Sequence, residues 1–166
     1  MSEQIITILE NLFGNAYALI VFIGSAIPIT EQRATIPLGI YWNLPPLQVM
    51  LLALIGSYLP VPFLLLFFRK ALNWLRTFPK LSRLTGFIDQ KVQKNVHRFE
   101  KSSELALIIF VAIPLPGTGL WTGSAVASFL GFNLKKSLVC IMLGSIISAV
   151  ALTLLSVFVK SGIALF

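Results

Sequence analysis

The sequence predicts an all-α polytopic membrane protein made of two inverted repeats. Each repeat is a re-entrant, broken-helix hairpin followed by a spanning helix, and a basic amphipathic segment joins the two in the cytoplasm. Three observations lead there. Of the 166 residues, 57% are hydrophobic and only 11% charged, whereas a soluble domain carries about 25% charged residues to solvate its surface. The same apolar content excludes a disordered chain. The stretch from Arg69 to Lys101 holds nine of the thirteen Lys and Arg and two of the six acids, which is the entire net charge of +7. Apolar segments interrupted by Pro and Gly occur twice, with nearly equal spacing. A pI near 9.9 would also suit nucleic acid, but basic residues gathered beside apolar segments follow the positive-inside rule. No nucleic-acid partner is expected.

The chain reads as one membrane domain, 1–166. Repeat 1 covers about 12–68. Leu12 to Ile29 nearly spans, but it ends at Pro28 and runs into Thr30-Glu31-Gln32-Arg33 and Ile36-Pro37-Leu38-Gly39. Leu47 to Phe68 then carries no charge and meets the roughly 20 apolar residues that a helix needs to cross hydrocarbon. The linker, about 69–104, repeats Leu81, Leu84, Ile88, Val92, Val96 and Phe99 every three or four residues, with Lys91, Lys94, Arg98 and Lys101 largely on other faces. That pattern suits a helix in the headgroup layer, or a solvated connector with one face on the bundle. His97 reads as a surface residue.

Repeat 2 covers about 105–160. Leu105 to Pro116 is too short to span and ends at Pro114 and Pro116; Gly117 to Phe132 is short and rich in small residues. Ser137 to Val159 spans, flanked by Lys135-Lys136 and Lys160. The repeat shows in three matches. Ala26-Ile27-Pro28-Ile29-Thr30 resembles Ala112-Ile113-Pro114-Leu115-Pro116, Asn43-Leu44 parallels Asn133-Leu134, and Gly56-Ser57 parallels Gly144-Ser145. A cytoplasmic linker then puts Lys135 and Lys136 at the inner face and both termini outside, the inverted arrangement common among secondary transporters. If residues 12–29 and 105–132 cross fully instead, Lys135 and Lys136 change sides. Gly144 and Ser148 offer a small-residue face for a partner helix, so a homodimer is possible.

Glu31 and Arg33 are the opposite charges of the first hairpin, and ionisable groups at membrane depth tend to be functional. Two positions apart, they share a side only on extended backbone; the alternative places both in a solvated external loop. In the second hairpin, Pro114 and Pro116 stop one half-helix and Gly117-Thr118-Gly119 opens the next, whose free amides suit an anion. Gly119, Gly123, Ala127 and Gly131 follow as a smooth packing stripe. Pro28, Pro37, Gly39, Pro114 and Pro116 are expected to break the hairpins. Cys140 stands alone in an apolar run, which leaves no disulfide or thiol metal site, and the first residues lack the basic cluster of a cleaved signal peptide. No paired carboxylate, Ser–His arrangement or metal-ligand cluster occurs. Neither an enzyme, a metal nor a cofactor is expected.

Glu31-Gln32-Arg33-Ala34-Thr35-Ile36-Pro37-Leu38-Gly39 and Ile113-Pro114-Leu115-Pro116-Gly117-Thr118-Gly119-Leu120-Trp121-Thr122-Gly123 resemble the two signature motifs of the bacterial small multidrug export protein family, which is related to the DedA (VTT-domain) superfamily. The resemblance covers essentially the whole chain. It implies a bacterial inner-membrane protein with two oppositely oriented re-entrant hairpins, and proton-linked transport or flipping of lipids, undecaprenyl phosphate included. The sequence departs from DedA proteins where Val111, Ala112 and Thr118 stand in the region of their arginines, which leaves Arg33 as the lone cation. The expected function is a proton-coupled transporter or flippase for an amphipathic anion such as a lipid phosphate, with membrane lipids as surroundings. Arg33 and the amides of Gly117 to Gly119 would hold the charge, Trp121 and Thr122 would line the cavity, and Glu31 would carry the proton. The alternatives are an exporter of small lipophilic cationic drugs that uses Glu31, and a non-transporting scaffold or insertion factor.

Overall fold

The computed structural model describes residues 17–75, 96–115 and 118–163. The amphipathic pattern at Leu81, Leu84, Ile88 and Val92, the hairpin residues Pro116 and Gly117, and the side chains of 96–102 with Val96, His97 and Phe99 lie outside the described residues. Seven helices form the described part: α1 Tyr17–Ala26, α2 Glu31–Tyr41, α3 Pro46–Tyr58, α4 Val61–Leu75, α5 Val96–Ala112, α6 Leu120–Phe129 and α7 Leu134–Ile163.

Residues 27–30 separate α1 from α2, because Pro28 disfavours the helical conformation of Ile27. The Thr30 hydroxyl closes this turn by donating to the carbonyl of Gly24. Pro114 opens the corresponding break after α5. Pro37 and Gly39 do not break anything: α2 runs through both to Tyr41. Pro37 removes one amide from the ladder, while Gly39 presses against Val21 and Val49, where a Cβ would come within 2.8 Å of Val49. It is a packing glycine.

The two short helices after the breaks end alike. Asn43 (φ +64°) follows α2 and Gly131 (φ +72°) follows α6. In each, paired backbone bonds close the end: Leu44 to Gly39 and Asn43 to Ile40, Phe132 to Ala127 and Gly131 to Ser128. This is the Schellman arrangement, which needs a left-handed residue. Asn43 is therefore matched in role by Gly131, and Asn133 instead caps α7 by accepting from the Lys136 amide at 2.9 Å. A cation from a long helix then finishes each end. Lys160 Nζ donates to Ile40 O at 2.5 Å and to Asn43 Oδ1 at 2.8 Å, and Arg69 donates to Phe132 O. Carbonyls at a helix C-terminus carry partial negative charge, so Lys160 sits where the field of α2 favours a cation.

The predicted span at Leu47 to Phe68 is two helices parted by Leu59-Pro60, α3 beginning with Pro46 in the first turn, where a missing amide costs nothing. Together they make a 29-residue apolar segment, Pro46–Trp74, and α7 supplies a second, Leu134–Gly162. Two cores share α7. Val21, Ile36, Ile40, Val49 and Ala53 pack with Ala149 and Leu152; Val61, Leu65, Leu107, Val111, Leu120 and Ala127 pack with Cys140 and Ile141. Across the halves, α2 lies on α7 and α6 lies on α4.

Polarity is turned inside out. Ser25, Ser57, Ser124, Ser145 and Ser148 are buried, while Phe158 is 77% exposed, Leu154 67% and Leu47 64%. Water would not tolerate so continuous an apolar exterior, whereas lipid does, and interhelical contact in lipid relies on small and hydroxylated residues. Gly144 is one of these contacts. A Cβ there would meet Ile108 O and Val111 Cβ, each at 2.7 Å, and Ser148 is fully buried. Gly144 thus packs on α5 within the chain, the close backbone approach that small residues permit in hydrocarbon.

Candidate functional site

The two breaks meet. Pro28, Glu31 and Arg33 from the first and Pro114, Thr118, Gly119, Trp121 and Thr122 from the second line one cavity of about 540 Å³. Of the side chains singled out in the sequence, Glu31, Arg33, Thr118, Gly119, Trp121 and Thr122 are brought together here. Pro37 and Gly39 lie farther along α2.

Glu31 is the first residue of α2 and only 5% exposed. Its φ of +39° is unfavourable for a residue with a Cβ, and such strain persists only where surrounding contacts impose it. The Glu31 amide donates to Ile27 O at 2.9 Å and its carbonyl accepts from Thr35. Glu31 Oε1 accepts from the Trp121 amide at 3.3 Å, which sets the carboxylate on the N-terminal end of α6, where orphan amides and the helix dipole favour negative charge. Gly119 makes this possible: a Cβ at that position would overlap the Glu31 carboxylate, with Cδ and Oε1 at 2.9 Å. The glycine is needed for space, since its backbone is extended, with φ of 177°.

Arg33 reaches the other side of the same loop. Its guanidinium donates to Leu115 O and, at 2.9 Å, to Thr118 Oγ1. Thr118 in turn lies 2.7 Å from Ile113 O and 2.9 Å from Leu115 O, so one hydroxyl knits the break after α5 and offers Arg33 a lone pair. Arg33 spends two of its five N–H groups in this way. Glu31 and Arg33 stand in the first turn of a helix, where residues two apart diverge, and each bonds to the opposite break.

The anion site was expected on the amides of Gly117 to Gly119. Gly117 is outside the described residues, and the amide actually engaged is that of Trp121, already holding Glu31. The reason is geometric. The first turn of α6 begins at Leu120, so its inward amides come one step later than the Pro-Gly pattern implies, and the nearest anion is the chain's own carboxylate.

Residues that the sequence reading did not assign to the site hold it in place. Ser25 Oγ and Thr35 Oγ1 are 2.6 Å apart, and Thr35 donates to Glu31 O at 2.9 Å, tying α1 to the first turn of α2. Gln32 Nε2 donates to Ser145 O at 3.2 Å while Ser145 Oγ donates to Gln32 Oε1 at 3.4 Å, fixing α2 on α7. The available signal was polarity: Gln32 and Thr35 are uncharged hydrogen-bonding residues between apolar segments, and such groups must be satisfied when buried.

Residues 31–151 match the family model described as "Putative small multi-drug export protein". No curated protein and no solved structure matches the chain.

Proposed function

Because the chain belongs to the small multi-drug export protein family, we propose that it is a multi-pass membrane transporter, not an enzyme, with the cavity between the two breaks as its substrate station. One observation carries the reading: a buried carboxylate of the first half sits on the helix N-terminus of the second. An anion site filled by an internal acid is an exchange device. When Glu31 takes a proton its hold on the α6 amides weakens, and an incoming anionic group takes that place with Arg33 beside it. The finer reading is an amphipathic anion, a lipid phosphate of the kind that the resemblance to DedA proteins suggests, moved with a proton by a flippase-like mechanism.

Linkage sets the sign. Ionised Glu31 competes with the substrate and neutral Glu31 does not, so proton uptake and anion binding strengthen one another equally. Binding of a long-chain alkyl sulfonate, whose head keeps one charge throughout, to the protein in nanodiscs should tighten as pH falls, by up to about tenfold per pH unit for one linked proton. Glu31→Gln should bind with no such slope, and Arg33→Ala should lose about ten- to a hundredfold in affinity, the usual worth of a charged hydrogen bond. A pH slope that survives in Glu31→Gln would overturn the mechanism.

A second reading is favoured by the buried acid in a cavity with apolar walls and by the name of the family: export of lipophilic cations with Glu31 as the counter-charge. Its signature is opposite. Cation binding tightens as pH rises, and it is lost in Glu31→Gln with Arg33 dispensable. A passive scaffold predicts that neither change matters.

The same proposal makes the two halves inverted repeats, an arrangement that suits a transporter. The exchange of partners, α2 on α7 and α6 on α4, the matching helix ends and the paired glycines at 56 and 144 all fit two copies facing opposite ways. The linker 69–104 is then cytoplasmic in a bacterial inner membrane. In a Cys140→Ala background, single cysteines at positions 85 and 135 should react only from the cytoplasmic side and those at 3 and 163 only from outside. Reaction of 85 and 135 from opposite sides would refute the topology.

A further inference from the structure

A second cavity, of about 730 Å³, runs beside α2 and is walled by Pro37, Leu38, Tyr41, Leu155, Val159 and Lys160. Ala34 borders both this groove and the cavity that holds Glu31 and Arg33. A residue with a single methyl group is thus all that the two share along α2. The two spaces differ in chemistry. The first contains a carboxylate, a guanidinium and hydroxyls. The second is apolar apart from a serine hydroxyl at Ser156, the Tyr41 phenol and Lys160, and the Lys160 ammonium is committed to Ile40 O and Asn43 Oδ1. Between Ala34 and Tyr41 the groove follows about 10 Å of helix, toward the end of α2 that Lys160 finishes.

From this continuity we infer that the groove holds the hydrocarbon chain of the transported molecule while its charged head occupies the first cavity. The ligand is therefore a single-headed amphiphile: one anionic group of phosphate type joined directly to a long apolar chain. The inference rests on the anion reading of the cavity. Charge complementarity selects this occupant. Among the described residues a second charged group in the groove would find no free partner, since Lys160 is spent on the end of α2, whereas a chain needs no partner and meets Leu38, Leu155 and Val159. Lys160 also serves the groove structurally, by holding the end of α2 against α7 so that the walls stay in register.

The test uses dodecyl phosphate with a terminal diazirine on the full-length protein in nanodiscs, with photolabelled residues located by mass spectrometry. Labelling should concentrate at Leu38, Leu155 and Val159, and should fall about tenfold in Leu155→Trp, whose larger side chain narrows the groove. Leu38→Phe, on the opposite wall, should give the same loss. Labels spread over the lipid-facing side of α7 at Ile147 and Leu154, indifferent to both substitutions, overturn the groove. Dodecanol with the same diazirine separates this inference from the one beneath it. If the alcohol labels the groove as well as the phosphate does, and Arg33→Ala changes neither, the chain groove stands and the anion reading of the cavity falls.

Discussion

Gly119→Ala should cut transport about ten- to a hundredfold in proteoliposomes, because one methyl group evicts Glu31 from the α6 amides. Alanine is conformationally acceptable here, the backbone being extended, so strain in φ is not the cause. The collision is. The added Cβ would lie within 2.9 Å of Glu31 Cδ and Oε1 and closer still to Oε2, and Glu31 is only 5% exposed at the start of α2. Either the carboxylate leaves the Trp121 amide or the two breaks part. Losing a hydrogen bond to a buried charge costs about 1.5–3 kcal/mol, which sets the range quoted. A double-mutant cycle isolates the cause: in a Glu31→Ala background the collision is gone, so Gly119→Ala should add almost nothing to the loss of thermal stability. Gly131→Ala is the control for a glycine of the other kind, with φ of +72° and open space around it; about 1–2 kcal/mol of left-handed strain is its whole effect. Wild-type transport in Gly119→Ala would show that the carboxylate does not need the end of α6.

The largest loss of stability should follow Gly56→Val. A Cβ at Gly56 overlaps the carbonyl of Phe22 and comes within 3.2 Å of Ser25 Cβ. A side chain can turn away from such a clash, but the backbone of a helix cannot, so α1 must lift from α3. Lifting it opens the core at Val21, Val49 and Ala53 and pulls on Ser25, which braces Thr35 and through it the Glu31 turn. Overpacking costs about 1–3 kcal/mol and more where nothing can yield, so about 3 kcal/mol in a detergent unfolding titration is the expected result. Gly144→Val, against Ile108 O, should match it. Leu154→Val, on an exposed surface, should stay within about 0.5 kcal/mol. If Gly56→Val unfolds no more easily than Leu154→Val, α1 and α3 are not in backbone contact.

Much of this was legible in the chain. Hydropathy and the absence of charge located the long apolar segments, since a bilayer imposes a length and a polarity that single residues betray. Pro28 and Pro114 marked the breaks because an imide ring acts locally, on its own neighbours. Pro37 misled for a related reason. Proline is tolerated in a helix when packing outweighs one missing bond, and the packing partners of α2 include α7, 113 positions away at the Gln32–Ser145 contact. Asn43-Leu44 and Asn133-Leu134 matched as letters but serve different ends, one closing α2 and the other opening α7.

What the sequence by itself determined was the class: an apolar, charge-sorted helical chain with two broken segments and a few polar residues in them. These follow from composition and from short-range backbone chemistry, which need no knowledge of the partner across the fold. Only the tertiary structure decided that Glu31 lies on the first turn of α6, that Arg33 holds the opposite break through Leu115 and Thr118, and that Gly144 packs on α5. Each of these joins residues about 30 to 90 positions apart, where no periodicity connects them. The physical reason is that in lipid a buried charge must find its partner among whatever the folded chain brings near.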